Sequence, residues 1–291
     1  MHSYLDPIQI AEDDQLRSNH IRDLVHEATP VIAESNRCDI PKVLVQYWDD
    51  LQNTPADVRE CLDSWEALKN QGFDRIIFDY YRARNFISRE LDGRYLQAFD
   101  LCHHPAMRCD YFRLCYLLHA GGFYLDADEV YQGADCNEFY RDNRLKVEPL
   151  CYEISSGRMI DVDSFMIERK YSPDWIFYVD NTPLIAPANH PITRLALDRA
   201  TRILLARAEE RLDIQSTTGP GNLTASLVTH SITSKTSGRM RDFMILPNWG
   251  ATSISRWPLS YRDDERNWRL WDPPRFRREP IVGDRFGLVR M

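Results

Sequence analysis

The chain has 291 residues, of which 43% are hydrophobic and 27% are charged. This is the composition of an ordinary globular protein, and the length is sufficient for one large α/β domain with a sizeable core. The net charge of −8 argues against a nucleic-acid partner, because binding a phosphate backbone requires a basic surface. Any bound phosphate would have to be met locally, by a metal ion and a few arginines.

The cysteines and the apolar runs indicate a cellular compartment. The seven cysteines are an odd number, include no Cys-x-x-Cys and lie mostly inside apolar runs, which predicts reduced, buried thiols. No apolar run approaches the roughly 18 residues of a membrane span. The N-terminus also lacks the basic and apolar regions of a secretion signal. We therefore expect a cytoplasmic protein without a transmembrane segment.

Residues 1–37 form a polar lead-in in which we expect one amphipathic helix. Its apolar residues could pack against the domain, and they are Leu16, Leu24, Val25 and Ala28. The run from Ile40 to Trp48 is β-branched, contains Pro41 near its start and is followed by two aspartates. This run predicts the first core strand.

A β-α-β unit follows from the next segments. Thr54 and Pro55 have the residue types of a helix start, and Gly72 has that of a helix end. A second strand is predicted over residues 74–79. This order favours a single Rossmann-like, mostly parallel central sheet flanked by helices, with ligands beyond the carboxyl ends of the strands.

A long helix is predicted to begin at Pro105 and to end at Gly121. One apolar stripe follows the helical period and consists of Met107, Tyr111, Leu114 and Leu118. Asp110 and Arg113 are three residues apart and share another face, where they could present an acceptor and a bidentate donor together. The alternative is a surface ion pair worth a few tenths of a kcal/mol.

Residues 123–128 alternate between apolar and polar side chains, which is the period of a strand. Alternate strand positions are about 6 to 7 Å apart and point the same way, so Asp126 and Asp128 could bind one hard cation. A metal held by few carboxylates keeps positions for substrate oxygens, which predicts a metal–diphosphate site. The alternative is an ordinary acidic turn.

The spacing of these residues resembles a known family. The pattern Arg108-x-Asp110-x-x-Arg113, then Gly121-Gly122-x-Tyr124-x-Asp126-x-Asp128, is similar to the signature of DXD glycosyltransferases. These include capsular-polysaccharide and initiating mannosyltransferases and the catalytic domains of large clostridial glucosylating toxins. The resemblance implies a GT-A fold, a nucleotide-sugar donor, and Mn²⁺ or Mg²⁺ bridging the diphosphate.

The same resemblance implies roles for individual residues. Asp110 and Arg113 would hold the sugar, while Asp126 and Asp128 would serve the metal and the ribose-phosphate. Two further donor-binding positions in the motif are Arg108 and Tyr124. The family also opens its catalytic domain with an Ile-Pro-Lys segment that ends in Gln-x-Trp, and this places Trp48 on the nucleotide base. Val45 stands where the family usually has a histidine.

The second half of the chain gives fewer signals. Strands are predicted over residues 159–168 and 175–179, and a helix from Pro191 to about residue 212. A related Asn-x-x-x-x-x-Pro-x-His-Pro segment in the family implies that Asn181 lies near the sugar. The loop over residues 217–222 resembles the family's loop beside donor and acceptor, although its composition also fits an ordinary helix start.

The C-terminal part begins with a predicted strand over residues 243–247. Related toxin domains carry a Ser-x-Trp segment here, which implies that Ser255 reaches the metal and Trp257 the diphosphate. Thr252 stands where those domains have an acidic residue. Residues 261–291 form a charged tail with several arginines, which either packs on the domain or is solvated.

These observations predict three regions: a helical lead-in over 1–37, a GT-A catalytic domain over 38–260 and the tail over 261–291. The expected activity is metal-dependent, retaining transfer of a sugar from a nucleoside diphosphate sugar to an unidentified hydroxyl acceptor, with UDP-linked donors as first choice. Two alternatives stay open. One is a phosphatase of the haloacid-dehalogenase type with Asp126 as nucleophile, and the other is a non-catalytic nucleotide-sugar binding protein.

Overall fold

The computed structural model describes residues 6–27, 38–246 and 248–270. The described α-helices, in chain order, are α1 (Pro7–Glu12), α2 (Asp14–His26), α3 (Ala56–Ser64), α4 (Tyr80–Glu90), α5 (Gly93–Asp100), α6 (Pro105–Ala120), α7 (Val162–Met166), α8 (Pro191–Ala206), α9 (Ile214–Thr217) and α10 (Pro220–Thr236). The described strands are β1 (Val43–Tyr47), β2 (Asp74–Phe78), β3 (Gly122–Tyr124), β4 (Glu129–Tyr131), β5 (Leu145–Val147), β6 (Pro149–Glu153), β7 (Arg158–Met159), β8 (Trp175–Val179), β9 (Leu184–Ala186), β10 (Phe243–Ile245) and β11 (Ser253–Ser255).

Six of these strands form a central sheet in the order β10-β5-β9-β3-β1-β2. Strand β9 runs antiparallel to both of its neighbours, β3 and β5, whereas the other paired strands run parallel. Two smaller sheets pair β4 with β11 and join β7, β6 and β8. The mostly parallel central sheet with helices packed around it confirms the predicted α/β fold class.

Both faces of the central sheet are buried, as the near-continuous apolar runs of its strands require. Val45 and Tyr124 are paired across β1 and β3 and face a core that includes α6, α8 and α10. Leu44 and Phe123, the adjacent pair, face a second core around Trp65. The sheet is therefore held between two apolar layers, and polar side chains collect at its edges and strand ends.

Helix α6 has the predicted bounds and stripe. His104 caps its first turn, because the imidazole accepts a hydrogen bond from the backbone N–H of Ala106 at 3.0 Å. The four stripe residues are fully buried. Gly121 ends the helix with φ +69°, and a Cβ at this position would lie 2.6 Å from the backbone nitrogen of Ala188. Only glycine fits such a conformation in so close a contact.

Several local predictions are wrong. Pro55, not Thr54, caps α3, which continues as a 3-10 helix over Trp65–Gln71. The segment predicted as a strand over 159–168 contains α7 instead, whose start is capped by the side chain of Asp161. The lead-in contains two helices, α1 and α2, because Asp13 interrupts the helix and caps the second part. Helix α8 ends at Ala206, six residues before the predicted end.

All seven cysteines are free thiols. Within the described ranges, no helix is both long and apolar enough to cross a membrane. Residues 1–5, 28–37, 247 and 271–291 lie outside the described residues. The predictions for Ala28, for the end of the strand at residue 247 and for most of the charged tail therefore stay predictions, as do the boundaries of the three regions.

Candidate functional site

The predicted site residues meet at the carboxyl edge of the central sheet. Parallel strands β1, β3 and β5 end at this edge, and they are followed by Trp48, Asp126 and Glu148. Antiparallel β9 starts at the same edge, just after Asp180 and Asn181. Loops that follow parallel strands are where α/β proteins bind ligands. The edge is strongly acidic, because three of these five residues, Asp126, Glu148 and Asp180, carry carboxyl groups.

Arg113 is the centre of the site. Its Nη2 forms ion pairs of 2.8 Å with both Asp110 and Asp126, and its Nη1 donates a 2.6 Å hydrogen bond to the carbonyl of Asn181. The guanidinium also lies 4.6 Å from the ring centroid of Tyr124. Only 2% of the Arg113 side chain is exposed, so the alternative prediction of a surface ion pair between Asp110 and Arg113 is wrong. A charge that is buried this deeply requires partners of opposite charge.

Asp110 connects the helix to two distant segments. Its Oδ1 accepts a 2.9 Å hydrogen bond from the side-chain amide of Asn181, and its Oδ2 accepts one of 3.4 Å from Thr218. Burial raises the pKa of Asp110 to about 6, against the opposing effect of Arg113. The loop over residues 217–222 therefore contacts the site through Thr218, in addition to starting α10.

Asp126 and Asp128 lie in a turn between β3 and β4, which we call the DXD turn (residues 126–128). The predicted strand ends at Tyr124, so the expectation that one strand carries both carboxylates is wrong. The alternation persists nevertheless, since Ala127 is buried and the two aspartates are only partly buried. Burial, followed by the charge of Asp126, raises the pKa of Asp128, which is the expected effect of a neighbouring like charge.

The side-chain contacts of the DXD turn fall on one oxygen of each aspartate. Arg113 contacts Oδ1 of Asp126. Tyr261 and Arg262 donate to Oδ2 of Asp128, at 3.1 and 2.5 Å. The remaining oxygen of each carboxylate has no side-chain donor among the described residues.

Ser255 lies beside the DXD turn but is engaged by a residue that was not predicted. Strands β4 and β11 pair Ser255 with Glu129, and both Ser253 and Ser255 donate hydrogen bonds to the Glu129 carboxylate. Burial, then the charge of Asp128, raises the pKa of Glu129 to about 7. Thr252 is buried, and Glu129 is the acidic group that contacts Ser255.

Two other acidic residues at this edge were also missed. Burial and the charge of Asp180 raise the pKa of Glu148 to about 9. Burial and the charge of Asp126 raise the pKa of Asp180 to about 8. Glu148 directly follows a strand and Asp180 follows β8, so their position at strand ends was the signal that could have found them.

The remaining predicted residues occupy the rim of the site. Trp48 packs edge-on against Tyr261, with ring centroids 5.2 Å apart. Trp257 is 56% exposed, and Arg262 lies 3.9 Å from its ring centroid. Trp48 and Trp257 are therefore linked to the DXD turn through Tyr261 and Arg262. Arg108 instead pairs with Asp49, the residue that follows Trp48, at 2.8 Å.

The donor set fits a divalent cation that is shared with a substrate. Among the described residues, no group of three or more His, Cys, Asp or Glu side chains could hold a metal ion. The free oxygens of Asp126 and Asp128 are two hard ligands, which suit Mn²⁺ or Mg²⁺ when substrate oxygens supply the other positions. Burial, and then the charge of Asp126, raises the pKa values of both Asp128 and Asp180, and a bound cation would offset that negative charge.

The acidic edge predicts a pH dependence that Asp180→Asn should reduce. The pKa of Asp180 is about 8 in the folded protein and about 4 in an unfolded chain. The folded state therefore binds more protons between these values, so stability falls as pH rises through this window, by at most about 1.4 kcal/mol per pH unit for one group. We expect Asp180→Asn to be more stable relative to wild type at pH 8 than at pH 5, as measured by urea unfolding. Parallel pH profiles for the two proteins would contradict the prediction.

Three comparisons show what the chain is similar to. Residues 55–142 match the family model described as the glycosyltransferase sugar-binding region containing the DXD motif. An uncharacterised glycosyltransferase of Acanthamoeba polyphaga mimivirus is 30% identical over 92 residues, which are 31% of this chain and 36% of that protein. The chain thus spans about a third of the curated relative that it matches. The solved PaToxG glycosyltransferase has a TM-score of 0.44 and 16% identity, covering 79% of this chain and 80% of its own.

The matched region contains helix α6, strand β3 and the DXD turn, and so includes the ion pairs of Arg113 with Asp110 and Asp126. Trp48, Asn181, Ser255 and Trp257 lie outside it and reach the site only through the fold. Residues 55–142 therefore resemble the sugar-binding region of DXD-type glycosyltransferases.

Proposed function

We propose that the chain transfers a sugar from a nucleoside diphosphate sugar to a hydroxyl group of an unidentified acceptor, with retention at the anomeric carbon. A UDP-linked sugar is the first donor to test. The observation that carries the proposal is the Arg113 network, in which one buried guanidinium joins Asp110, Asn181 and Asp126 at the edge of the sheet. In this network the groups proposed to accept hydrogen bonds from sugar hydroxyls lie next to the carboxylates proposed for the metal.

Each residue of the network has a proposed task. Asp110 and Asn181 would hydrogen-bond the sugar and orient its anomeric carbon, which converts binding energy into positioning. Arg113 fixes Asp126 through their 2.8 Å ion pair, so that this carboxylate is oriented before the donor arrives. A divalent ion on Asp126 and Asp128 would supply Lewis acidity to the departing diphosphate. With attack and departure on one face of the sugar, no dedicated catalytic base is needed.

The phosphatase alternative requires Asp126 to act as a nucleophile. Oδ1 of Asp126 is instead held by a buried arginine at 2.8 Å, which stabilises the carboxylate charge and lowers its nucleophilicity. The family match also favours sugar transfer. A p-nitrophenyl phosphate assay with Mg²⁺ separates the two, since turnover that Asp126→Asn abolishes would support the phosphatase. A non-catalytic binding protein would bind the donor with Mn²⁺ but would never release UDP.

The test of the proposed function is a thermal-shift screen of UDP-, GDP- and dTDP-sugars, each with and without Mn²⁺. A donor that binds only the folded state stabilises it by about 2.7 kcal/mol at about 100 times its dissociation constant. For a chain of this size, we expect that gain to raise Tm by several degrees. The expected result is a shift for one nucleotide class that depends on Mn²⁺. No metal-dependent shift with any of these donors would contradict the proposal.

A further inference from the structure

The segment over residues 256–270 covers the DXD turn with cationic and aromatic side chains. Its backbone is anchored, since the amide of Arg256 donates to the carbonyl of Asp128 at 2.9 Å and the amide of Ser260 donates to the carboxylate of Asp57 at 2.6 Å. His104 at the start of α6 contacts the carbonyl of Glu265 at 3.0 Å. The covering side chains are therefore held in place in front of the acidic edge.

Arg262 is the central cation of this segment. Its side chain is 12% exposed and pairs with Oδ2 of Asp128 at 2.5 Å. Its Nε is buried without any hydrogen-bond partner, which leaves one strong donor unused. A guanidinium that is this buried and incompletely bonded has unused capacity for an anionic ligand.

Arg269 adds a second cation beside the same indole. Its guanidinium carbon lies 4.8 Å from the ring centroid of Trp257, and that of Arg262 lies 3.9 Å from it. No carboxylate among the described residues pairs with Arg269. Burial, then the charge of Arg262, lowers the pKa of Arg269, so the two guanidinium groups repel each other here. An anion between them would relieve this repulsion.

Binding of the proposed metal would weaken the ion pair between Arg262 and Asp128. A divalent cation on Asp128 would compete with Arg262 for the same carboxylate, because two cations close to one anion repel each other. A diphosphate bound to that metal would bring oxygens next to the released guanidinium. Arginine binds phosphate through two parallel hydrogen bonds, which matches the fork geometry of its donors.

We propose that Arg262 and Arg269, which both lie against the indole of Trp257, form a cationic clamp that binds the diphosphate of the donor, and that Arg262 leaves Asp128 when the metal and the diphosphate bind. This inference rests on the proposed function, because it assumes a nucleoside diphosphate donor. The clamp would supply the local positive charge that a chain with a net charge of −8 needs in order to bind a phosphate. Arg113 cannot supply that charge, since two carboxylates already engage it.

The test measures binding rather than turnover, with Arg262→Gln, Arg262→Lys, Arg269→Gln and Arg266→Gln in the full chain. Arg266 is the matched control, because it lies in the same segment but pairs with Asp264 at 2.6 Å. The first probe is inorganic pyrophosphate with Mg²⁺, titrated by calorimetry, so that the result is independent of the nucleotide base. The second probe is Mn²⁺ alone, with the free ion measured by electron paramagnetic resonance.

We expect Arg262→Gln to weaken pyrophosphate binding at least 10-fold, Arg269→Gln at least 3-fold and Arg266→Gln by less than 2-fold. Arg262→Gln should also tighten binding of Mn²⁺ alone severalfold, since the competing cation has been removed. A purely structural role would not change the two affinities in opposite directions. Arg262→Lys keeps the charge and protects the fold, and it should retain part of the pyrophosphate affinity.

The outcomes distinguish this inference from the function on which it rests. If wild type binds pyrophosphate with Mg²⁺ and Arg262→Gln binds it equally well, the clamp is overturned and the proposed function stands. If wild type binds neither pyrophosphate nor any nucleoside diphosphate with a metal, both are overturned. If Arg262→Gln weakens the binding of pyrophosphate and of Mn²⁺ alone to the same extent, Arg262 only maintains the shape of the site, which also overturns the clamp.

Discussion

Substitution of asparagine for either aspartate of the DXD turn should reduce metal-dependent hydrolysis of the donor sugar by at least about 100-fold. This is the usual loss of rate when a group that stabilises developing charge is removed. Asp126→Asn and Asp128→Asn are nearly isosteric, and each removes one negative charge from the proposed metal site. Amide oxygens are weaker ligands for hard cations than carboxylates are. The measurement is release of UDP from the donor identified by the screen, at saturating Mn²⁺ and again over a range of Mn²⁺ concentrations.

The matched control for these substitutions is Asp100→Asn. Asp100 pairs with Arg84 at 2.8 Å on the surface and contacts none of the proposed site residues by a hydrogen bond or an ion pair, so its loss should change hydrolysis by less than 2-fold. Asp128→Asn should change the melting temperature only slightly, because the relief of the repulsion between Asp128 and Asp126 offsets the loss of charge in the pair with Arg262. Retained hydrolysis in both DXD variants, with intact folding, would refute the proposed metal site.

The sequence predicted the elements that local residue patterns determine. Helix α6 was placed correctly because Pro105, a four-residue apolar stripe and Gly121 mark its start, its buried face and its end. The first two strands were found from their β-branched runs. The order of these elements was enough to infer a mostly parallel sheet and to expect ligands beyond the carboxyl ends of its strands.

The burial of Asp110 and Arg113 could not be predicted from helical period. Their face of α6 is covered by Asn181 and Thr218, which are 71 and 108 residues from Asp110 in the chain. A polar pair on a helix looks the same in sequence whether water or a distant loop covers it. For this reason the ion pair was also compatible with a weak surface contact, whereas the structure buries it in the site.

The alternation over residues 123–128 was also ambiguous. Strand pairing explains why residues 123–128 do not form one long strand. Strand β3 is paired with β1 and β9 only as far as Tyr124, and Leu125 makes one more hydrogen bond, to the carbonyl of Val45. Leu184, the partner of Tyr124, is the first residue of β9, so beyond that point the chain has no partner on the β9 side and turns. Glu148 and Asp180 each follow a strand, but the edge that they share depends on the order of the strands in the sheets, which no local pattern specifies.

Arg113→Met should lower the free energy of unfolding by about 3 to 5 kcal/mol, the usual cost of removing one partner from a buried ion pair. The substitution leaves Asp110 and Asp126 without the guanidinium that offsets their charge, and it removes the donor to the Asn181 carbonyl. Arg113→Lys keeps the charge but not the fork of donors, so it should cost less than Arg113→Met. Urea unfolding at pH 7 measures both variants.

The control for this stability effect is Arg84→Met. Arg84 makes two 2.8 Å hydrogen bonds to Asp100, and both side chains are well exposed, so its loss should cost no more than about 1 kcal/mol. Acid should also reduce the cost of Arg113→Met. Without the guanidinium, the pKa of Asp110 would rise above its present value of about 6, and a protonated Asp110 needs no cation. The destabilisation by Arg113→Met should therefore grow from pH 5 to pH 8. A cost equal to that of Arg84→Met, and independent of pH, would contradict the central role of Arg113 in holding the site together.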